Sequence, residues 1–185
     1  MKQLAYALAL AGSCVLGAAV ATTPAHAALE TYEAKMVAAD AAAQARADMV
    51  RAFGAKKPKP GQYLWREVPA SAGPERVVIS LSDQLAFVYR GSSLMAVAAV
   101  SSGKSTKPTP TGIFSVLNKK TMHHSRKYDN APMPYSQFID QYGIALHAGH
   151  NPGHPASRGC VRLPASFAKK LFTVTSVGTP VYIGA

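Results

Sequence analysis

The chain has 185 residues, 48% hydrophobic and 16% charged, with Gly and Pro spread throughout, which excludes a coiled coil and a wholly disordered protein. Its length suits one domain with a substantial core, and two cysteines exclude a scaffold held by several disulfides. Because 20 Lys and Arg outnumber 9 Asp and Glu, the formal net charge is +11, which favours an anionic partner or surface.

Residues 1–27 have the pattern of a secretory signal peptide. Lys2 supplies a positive start, residues 4–20 form an apolar run, and residues 25–27, Ala-His-Ala, form a small-residue cleavage site. The alternative is an uncleaved membrane anchor, but the run is rich in Ala and Gly and the cleavage site is good. We therefore expect export to the periplasm or cell wall, with no stable membrane anchor after cleavage.

Export changes what the positive charge implies. A strongly basic chain first suggests nucleic-acid binding, but an exported protein meets anionic lipid head groups and cell-wall polymers instead, so we predict no nucleic-acid partner. Export also isolates Cys160, because cleavage removes Cys14, the other cysteine of the chain. A single cysteine in a secreted protein forms an intermolecular bridge or is a reactive thiol.

Residues 28–55 are predicted to form an N-terminal amphipathic helix. Gly54 can end this helix, and Pro58 prevents its return. Residues 56–74, rich in Pro and Lys at their start, are predicted to be a linker or extended arm. A spacer, a dimer contact and a lid are all compatible with the helix. Its apolar residues recur with a period near 3.6: Leu29, Tyr32, Met36, Ala39, Ala43, Ala47 and Val50.

Between residues 75 and 185, short segments rich in β-branched and aromatic residues predict strands. A short helix is predicted over residues 164–173, with Pro164 in its first turn. The predicted fold is mostly β with minor α, a β-sandwich or open barrel, and this region is the predicted catalytic domain. The predicted strands cover residues 77–81, 84–89, 94–100, 113–117 and 181–183.

A phosphate-binding loop is suggested by residues 102–106, Ser-Gly-Lys-Ser-Thr. The pattern requires a glycine where Ala98 stands, and the following Lys107 and Pro108 cannot open a helix. Both departures exclude the loop, so the sequence predicts no nucleotide cofactor.

A zinc site is the second alternative, because one segment of the chain is rich in good zinc-ligand types. The segment is also rich in Gly and Pro, so it is a loop and not a helix that aligns ligands. No acidic residue lies nearby in sequence to orient a ligand histidine. These features disfavour a metal, although spacing alone does not exclude it. The candidate ligands are His147, His150, His154 and Cys160.

A cysteine nucleophile is the third alternative. Arg158 and Arg162 flank Cys160 at two residues on either side, and in an extended segment all three side chains would point the same way. Two guanidinium groups near the sulfur would favour the thiolate. Gly159 permits close approach of a substrate and leaves backbone N–H groups free to hold an oxyanion. His147 is the best-placed base. A buried structural cysteine is the other interpretation, but flanking arginines make burial costly.

Residues 144–164, IALHAGHNPGHPASRGCVRLP, resemble the signature of L,D-transpeptidase (YkuD-like) catalytic domains. The resemblance covers residues 75–185 and implies a mixed β-sandwich-like fold, peptidoglycan stem peptides as substrates and no metal. Further ordered motifs support it: Gln84-Leu85, Ser101-Ser102-Gly103, Thr109-Pro110-Thr111-Gly112, Met133-Pro134-Tyr135 and Gly178-Thr179-Pro180-Val181.

The resemblance implies a role for the two central residues. Cys160 would be the nucleophile and His147 the general base. Family members orient this histidine by a backbone carbonyl just after it, which would belong to Ala148 or Gly149.

The same resemblance assigns the thiol loop. Ser157 and Gly159 would shape the loop and the oxyanion site. Arg158 departs from the family pattern, which usually has a second histidine at this position. Arginine keeps a cation beside the sulfur but does not accept a proton near neutral pH, so no role that needs a neutral imidazole is expected here.

Substrate contacts are implied as well. Arg162 would meet a substrate carboxylate, Tyr135 would line the donor pocket, and Gly149 would lie beside the bound substrate. The implied reaction is attack of Cys160 on the bond between diaminopimelic acid and the terminal D-Ala of a tetrapeptide stem, giving a thioester that a second stem's amine resolves. Carbapenem-type β-lactams would inhibit it. An L,D-carboxypeptidase that gives the same thioester to water, or a non-catalytic wall-binding or zinc-binding module, are the alternatives.

Overall fold

The computed structural model describes residues 28–185, so the predicted signal peptide, residues 1–27, lies outside the described residues. This part of the chain contains two helices, α1 (Tyr32–Phe53) and α2 (Ala165–Val174), and a short 3-10 turn at Ala70–Ala72. The strands are β1 (Tyr63–Trp65), β2 (Glu75–Ser80), β3 (Leu85–Arg90), β4 (Ser93–Ala99), β5 (Gly112–Ser115), β6 (Asn118–His124), β7 (Pro132–Phe138), β8 (Ala145–Ala148), β9 (Val161–Leu163) and β10 (Pro180–Gly184).

The strands of residues 28–185 form two sheets. The larger sheet has the order β1-β4-β3-β2-β10-β5, and the smaller has the order β6-β7-β8-β9. β10 runs parallel to β2 and β8 runs parallel to β9, whereas the other neighbours are antiparallel. The prediction of a mostly β fold with minor α, preceded by a helix, is therefore confirmed.

The main core lies between the two sheets and α2. Alternate side chains of β2 and β3, such as Val77, Ile79 and Val88, point into it and meet Leu146 of β8 and Phe167 of α2. All five are fully buried. Successive strand residues point to opposite faces of a sheet. The apolar side chains between them, such as Val78 and Phe87, therefore point to the other face of the larger sheet and need a second cover.

α1 provides that cover. Thr31 caps its start by accepting a hydrogen bond from the Ala34 backbone N–H, and Gly54 ends it. The helix buries a row of small residues, which brings its backbone close to the sheet: a Cβ on Gly184 would lie 2.6 Å from the carbonyl oxygen of Ala38. The second core formed there consists of Ala42, Ala45, Met49, Val78, Leu85, Phe87, Tyr89, Leu94 and Val97.

The segment predicted as a linker or arm, residues 56–74, contains a strand of the larger sheet. Tyr63, Leu64 and Trp65 pair with Val97 and its neighbours in β4. The rings of Tyr63 and Trp65 lie 5.6 and 6.1 Å from that of Phe167, so this short strand closes one edge of the main core. Within residues 28–185, no helix is both long enough and apolar enough to cross a membrane.

Candidate active site

His147 and Cys160 line the same cavity, which has a volume of about 1040 Å³. The parallel pairing of β8 with β9 brings them there, because it places Leu146 opposite Val161 and His147 opposite Arg162. Cys160 directly precedes β9, and the twelve residues between His147 and Cys160 return the chain to the strand that carries the histidine. The structure thus brings together the two residues that the sequence paired as base and nucleophile.

His147 is held as a neutral base. Its Nδ1 lies 2.8 Å from the carbonyl oxygen of Ala148. Because a carbonyl only accepts hydrogen bonds, Nδ1 carries the proton and Nε2 keeps its lone pair. The pKa of His147 is lowered to about 4, mainly by burial and also by the charges of Arg162 and His123, and the bond to Ala148 opposes the shift. The imidazole is therefore uncharged at neutral pH.

The Cys160 thiol is also held in its neutral form. Its side chain is half-buried, and Sγ–H donates to the carbonyl oxygen of Gly143 at 3.6 Å. Burial raises the pKa of Cys160, and so does the Asp140 carboxylate, whereas a backbone hydrogen bond at Ala145 and the charge of Arg162 lower it. The prediction that flanking arginines favour the thiolate is wrong for this resting state, because the cost of burial exceeds the attraction of Arg162.

The thiol loop bends where an extended segment was expected. Gly159 has a φ of +116°, and a Cβ at this position would lie 2.6 Å from Cδ1 of Ile144. Two reasons therefore exclude a side chain at position 159: L residues rarely adopt this φ, and a Cβ would clash with Ile144. Of this segment, only Val161–Leu163 are extended, as β9, so the condition under which Arg158, Cys160 and Arg162 would all point the same way is not met.

Ser157 fixes the bend. Its Oγ donates to the carbonyl oxygen of Cys160 at 2.5 Å and accepts from the backbone N–H of Gly159 at 3.1 Å. Thr109 Oγ1 donates to the carbonyl oxygen of Gly159 at 2.8 Å, which ties the loop to the segment before β5. The Gly159 N–H is therefore already engaged, contrary to the prediction that it is free for an oxyanion.

The two arginines diverge. The side chain of Arg162 lies against Gly149, where a Cβ would come within 3.1 Å of Arg162 Cγ, so the glycine makes room for the guanidinium stem. Arg158 points the other way, with its Cζ 4.7 Å from the centroid of the Tyr128 ring. The bend at Gly159 separates them, and both still line the cavity.

The cavity is strongly basic. Two carboxylates, Asp129 and Asp140, also line it. Much of its wall comes from β6, β7 and the turn between them, opposite the thiol loop. The cations that line it are Lys104, Lys120, Arg126, Lys127, Arg158 and Arg162. An anionic ligand fits this lining better than a neutral or cationic one.

Tyr135 lies elsewhere. It is not among the residues that line this cavity, and its ring lies edge-on to that of Phe172, with the centroids 5.9 Å apart. The structure therefore does not bring Tyr135 to the thiol, although it brings Gly149, Ser157 and Arg158 there.

Comparison with known proteins decides the family. The model of the L,D-transpeptidase catalytic domain family, YkuD, matches residues 74–183. The chain belongs to this family. The YkuD protein of Bacillus licheniformis is 25% identical to it over 116 residues, which are 60% of this chain and 66% of that protein. This chain therefore spans just under two thirds of that relative's length.

Solved structures of L,D-transpeptidases have the same fold. One from Stackebrandtia nassauensis is 25% identical, with a TM-score of 0.56 over 64% of this chain and 58% of that chain. The L,D-transpeptidase LdtMt1, solved in complex with imipenem, is 22% identical, with a TM-score of 0.55 over 59% of this chain and 58% of that chain. The latter likeness shows the fold alone.

This L,D-transpeptidase domain supports its thiol loop through residues that sequence reasoning gave no individual role. The Gln84 side chain accepts from the Ser102 backbone N–H at 2.9 Å and donates to its hydroxyl at 2.8 Å. The carbonyl oxygen of Ser102 in turn accepts from the backbone N–H groups of Ala156 and Ser157. Gln84 and Ser102 were visible only as parts of the family motifs.

Asp140 was missed altogether. Its carboxylate accepts from the backbone N–H groups of Tyr142 and Ile144 at 2.9 and 2.8 Å, which holds the turn whose Gly143 carbonyl faces the thiol. The sequence did contain a signal, since an Asp followed three residues later by a Gly is typical of a turn.

The zinc ligands do not assemble in the L,D-transpeptidase domain. Within residues 28–185, no three His, Cys, Asp or Glu side chains come together in a way that could hold a metal ion. His154 is absent from the lining of the cavity that contains His147 and Cys160. The four candidate ligands lie on one stretch of chain, but its turns separate them.

Proposed function

We propose that this protein is an exported L,D-transpeptidase that cross-links peptidoglycan through a thioester on Cys160. The observation that carries the proposal is the arrangement of His147: a buried, neutral imidazole whose Nδ1 proton is committed to Ala148, so that Nε2 is available as a base in the cavity that holds a free thiol. Membership of the L,D-transpeptidase family supports the reaction class.

Acylation begins from a neutral pair. The S–H proton of Cys160 passes to Nε2 of His147 as the sulfur attacks the carbonyl carbon that joins diaminopimelic acid to the terminal D-Ala. A C–S bond forms, and the carbonyl electron pair moves to oxygen. When that pair returns, the C–N bond breaks, and the D-Ala amine leaves with the proton from His147. Because both pKa values favour the neutral groups, thiolate forms only as attack proceeds.

The oxyanion needs a donor beside Cys160. Since Ser157 Oγ already accepts from the Gly159 N–H, we assign this role to the backbone N–H of Cys160 itself. The hydrogen bond from Ser157 to the Cys160 carbonyl fixes the orientation of that residue. Ser157 is therefore a positioning residue, and it does not touch the substrate.

Deacylation repeats the chemistry with a new nucleophile. An amine of a second stem attacks the thioester carbonyl and gives its proton to His147. A C–N bond forms, the C–S bond breaks, and the sulfur recovers the proton from the imidazole. The product is a cross-link between two stems. Water in place of the amine would give an L,D-carboxypeptidase by the same steps.

The charge of the cavity suits this substrate. Peptidoglycan stems carry several carboxylates, and the cavity is lined by six Lys and Arg against two Asp. We assign the binding of a donor-stem carboxylate to Arg162, and its packing beside Gly149 and its pairing with His147 across the sheet support this assignment. A carbapenem such as imipenem, which is bound in the LdtMt1 structure, would acylate Cys160 of this protein.

The test is incubation of the protein and a Cys160→Ala variant with purified disaccharide-tetrapeptide, with products followed by mass spectrometry. We expect Cys160-dependent loss of D-Ala together with formation of cross-linked dimer. Loss of D-Ala with only tripeptide product would replace the transpeptidase by the carboxypeptidase. No change with the unmodified protein would overturn the proposal of a peptidoglycan enzyme.

A further inference from the structure

Arg158 holds an unusual position on the thiol loop. Its guanidinium lies over the Tyr128 ring, 4.7 Å from the centroid, so it bridges the loop to the turn between β6 and β7. Tyr128 is half-buried and Arg158 is exposed. A stacked guanidinium keeps its face against the ring and its N–H groups around its edge. The stacking therefore fixes where these donors point.

Those donors are not used by the protein's own acids. Among residues 28–185, the ion pairs are Arg46 with Asp83, Arg51 with Asp48 and Arg90 with Glu75, and none includes Arg158. A planar, positioned guanidinium without a carboxylate partner is suited to binding a carboxylate from outside. Its location on the cavity wall places that carboxylate near the thiol.

Arg162 and Arg158 serve different parts of the cavity. The charge of Arg162 lowers the pKa of both the His147 imidazole and the Cys160 thiol. Arg162 is paired with His147 across β8 and β9, whereas Arg158 lies before the bend at Gly159 and contacts Tyr128 in the turn between β6 and β7. The acyl group is attached to the sulfur between them. With the donor assigned to Arg162, Arg158 is left to meet the incoming acceptor.

We propose that Arg158, stacked on Tyr128, binds the carboxylate next to the accepting amine and so selects the acceptor stem. The inference rests on the proposed transpeptidase function and adds a specificity-determining residue to it. An acceptor centre that carries both an amine and a carboxylate is held by its carboxylate, which leaves the amine directed at the thioester. An acceptor with an amide at that place loses the charge-assisted hydrogen bonds.

The experiment compares two acceptor tripeptide stems, one with a free carboxylate beside the accepting amine and one with a carboxamide there. For the unmodified protein we expect the apparent KM of the carboxylate acceptor to be about tenfold lower. In Arg158→Gln this preference disappears, with the kcat at saturating acceptor nearly unchanged. Tyr128→Phe keeps the preference because the ring remains, and Tyr128→Ala loses most of it. Arg76→Gln is the matched control, since Arg76 also lies over a tyrosine ring, 4.1 Å from the centroid of Tyr89, but does not line the cavity.

Acylation by imipenem is measured on every variant, because it reports the thiol and His147 without an acceptor. We expect Arg158→Gln to be acylated within about twofold of the unmodified rate. An unchanged acceptor preference in Arg158→Gln, or an equal loss in Arg76→Gln, would overturn the inference. If the acylation rate of Arg158→Gln falls together with its acceptor preference, Arg158 acts on donor binding or on the thiol, and the inference is overturned. If the unmodified protein does not react at all, the proposed function is refuted. That outcome differs from a failure of the Arg158 inference alone, in which the unmodified protein still reacts.

Discussion

The two sheets differ in how they are covered. β2, β3 and β4 of the larger sheet are almost wholly buried, since the main core covers one face and α1 covers the other. β6 of the smaller sheet is exposed or half-exposed along its whole length, and β6 and β7 together form much of the cavity wall. The larger sheet is built as a stable platform, and the smaller one presents polar and charged groups to a ligand.

The position of α1 belongs to this difference. It buries Ala38, Ala45 and Met49 against the larger sheet, and none of its residues lines the cavity. Of the roles that the sequence left open for the helix, a lid over the site does not fit this placement. A helix that completes a core affects stability more than chemistry. Four measurements test this difference between the larger sheet and the cavity at the smaller sheet.

The largest expected effect is on catalysis at the smaller sheet. Cys160→Ala should abolish D-Ala release and imipenem acylation, a loss of ~10⁴-fold or more, because Cys160 is the proposed nucleophile. Its free energy of unfolding should stay within about 1 kcal/mol of the unmodified value, as expected for a half-buried side chain. Intact-mass spectrometry and urea denaturation measure the two quantities. Residual acylation would place the nucleophile elsewhere.

The reverse pattern is expected for the larger sheet. Phe87→Ala removes a fully buried ring between β3 and α1, and should lower the free energy of unfolding by about 3–5 kcal/mol. The rate of imipenem acylation per folded molecule should not change. Phe138→Ala, in the cavity wall, is the comparison variant and should alter acylation more than stability. A slowed acylation in Phe87→Ala would mean that the sheets are coupled.

Acid should destabilise the site through His147. Its pKa is about 4 in the fold against 6.5 when unfolded, so between these pH values the unfolded chain binds more protons. Stability should therefore fall as the pH drops from 6.5 to 4, by about 3 kcal/mol, and then level off. Urea denaturation of the unmodified protein and of His147→Asn measures the difference. The two curves should approach each other as the pH falls, and parallel curves would contradict the assignment.

The smallest expected effect is a difference in imipenem acylation between alanine variants of two serines that make similar hydrogen bonds. Ser157 and Ser80 each donate from the hydroxyl and accept one backbone N–H, from Gly159 and Asp83 respectively. Alanine at either position should cost about 1–2 kcal/mol of stability. Only Ser157→Ala should slow imipenem acylation, by about tenfold, because it frees the thiol loop. Equal rates in the two variants would show that Ser157 does not position Cys160.

The sequence predicted the larger sheet better than the smaller one. β2, β3, β4, β5 and β10 are confirmed close to their predicted ranges, because strands buried on both faces are rich in apolar and β-branched residues. β6 and β7 were not predicted. Their sequence, NKKTMHH in β6, has no period-2 alternation because neither face of that strand is fully buried. These two strands are stabilised by pairing with each other in a hairpin, and such pairing cannot be predicted from the sequence pattern of either strand.

In the candidate site, too, some features could be predicted from the sequence and others could not. His147 and Cys160 could be paired from sequence, since their residue types and the family signature require only order along the chain. The direction of Arg158 could not, because it depends on the bend at Gly159 and on Tyr128, thirty residues away. Sequence also gave the wrong sign for the thiol pKa, because the arginines are visible in the sequence and the burial is not.

Residue order and residue type by themselves were enough to identify the family and the strongly basic character of this protein, and to predict Cys160 as the nucleophile and His147 as the base. Those properties depend on short-range pattern and composition, which the chain carries whether or not it is folded. Only the tertiary structure decided the protonation states of His147 and Cys160, the separation of the two arginines and the engagement of the Gly159 N–H. These depend on burial, backbone angle and contacts between segments distant in sequence, which exist only in the folded chain.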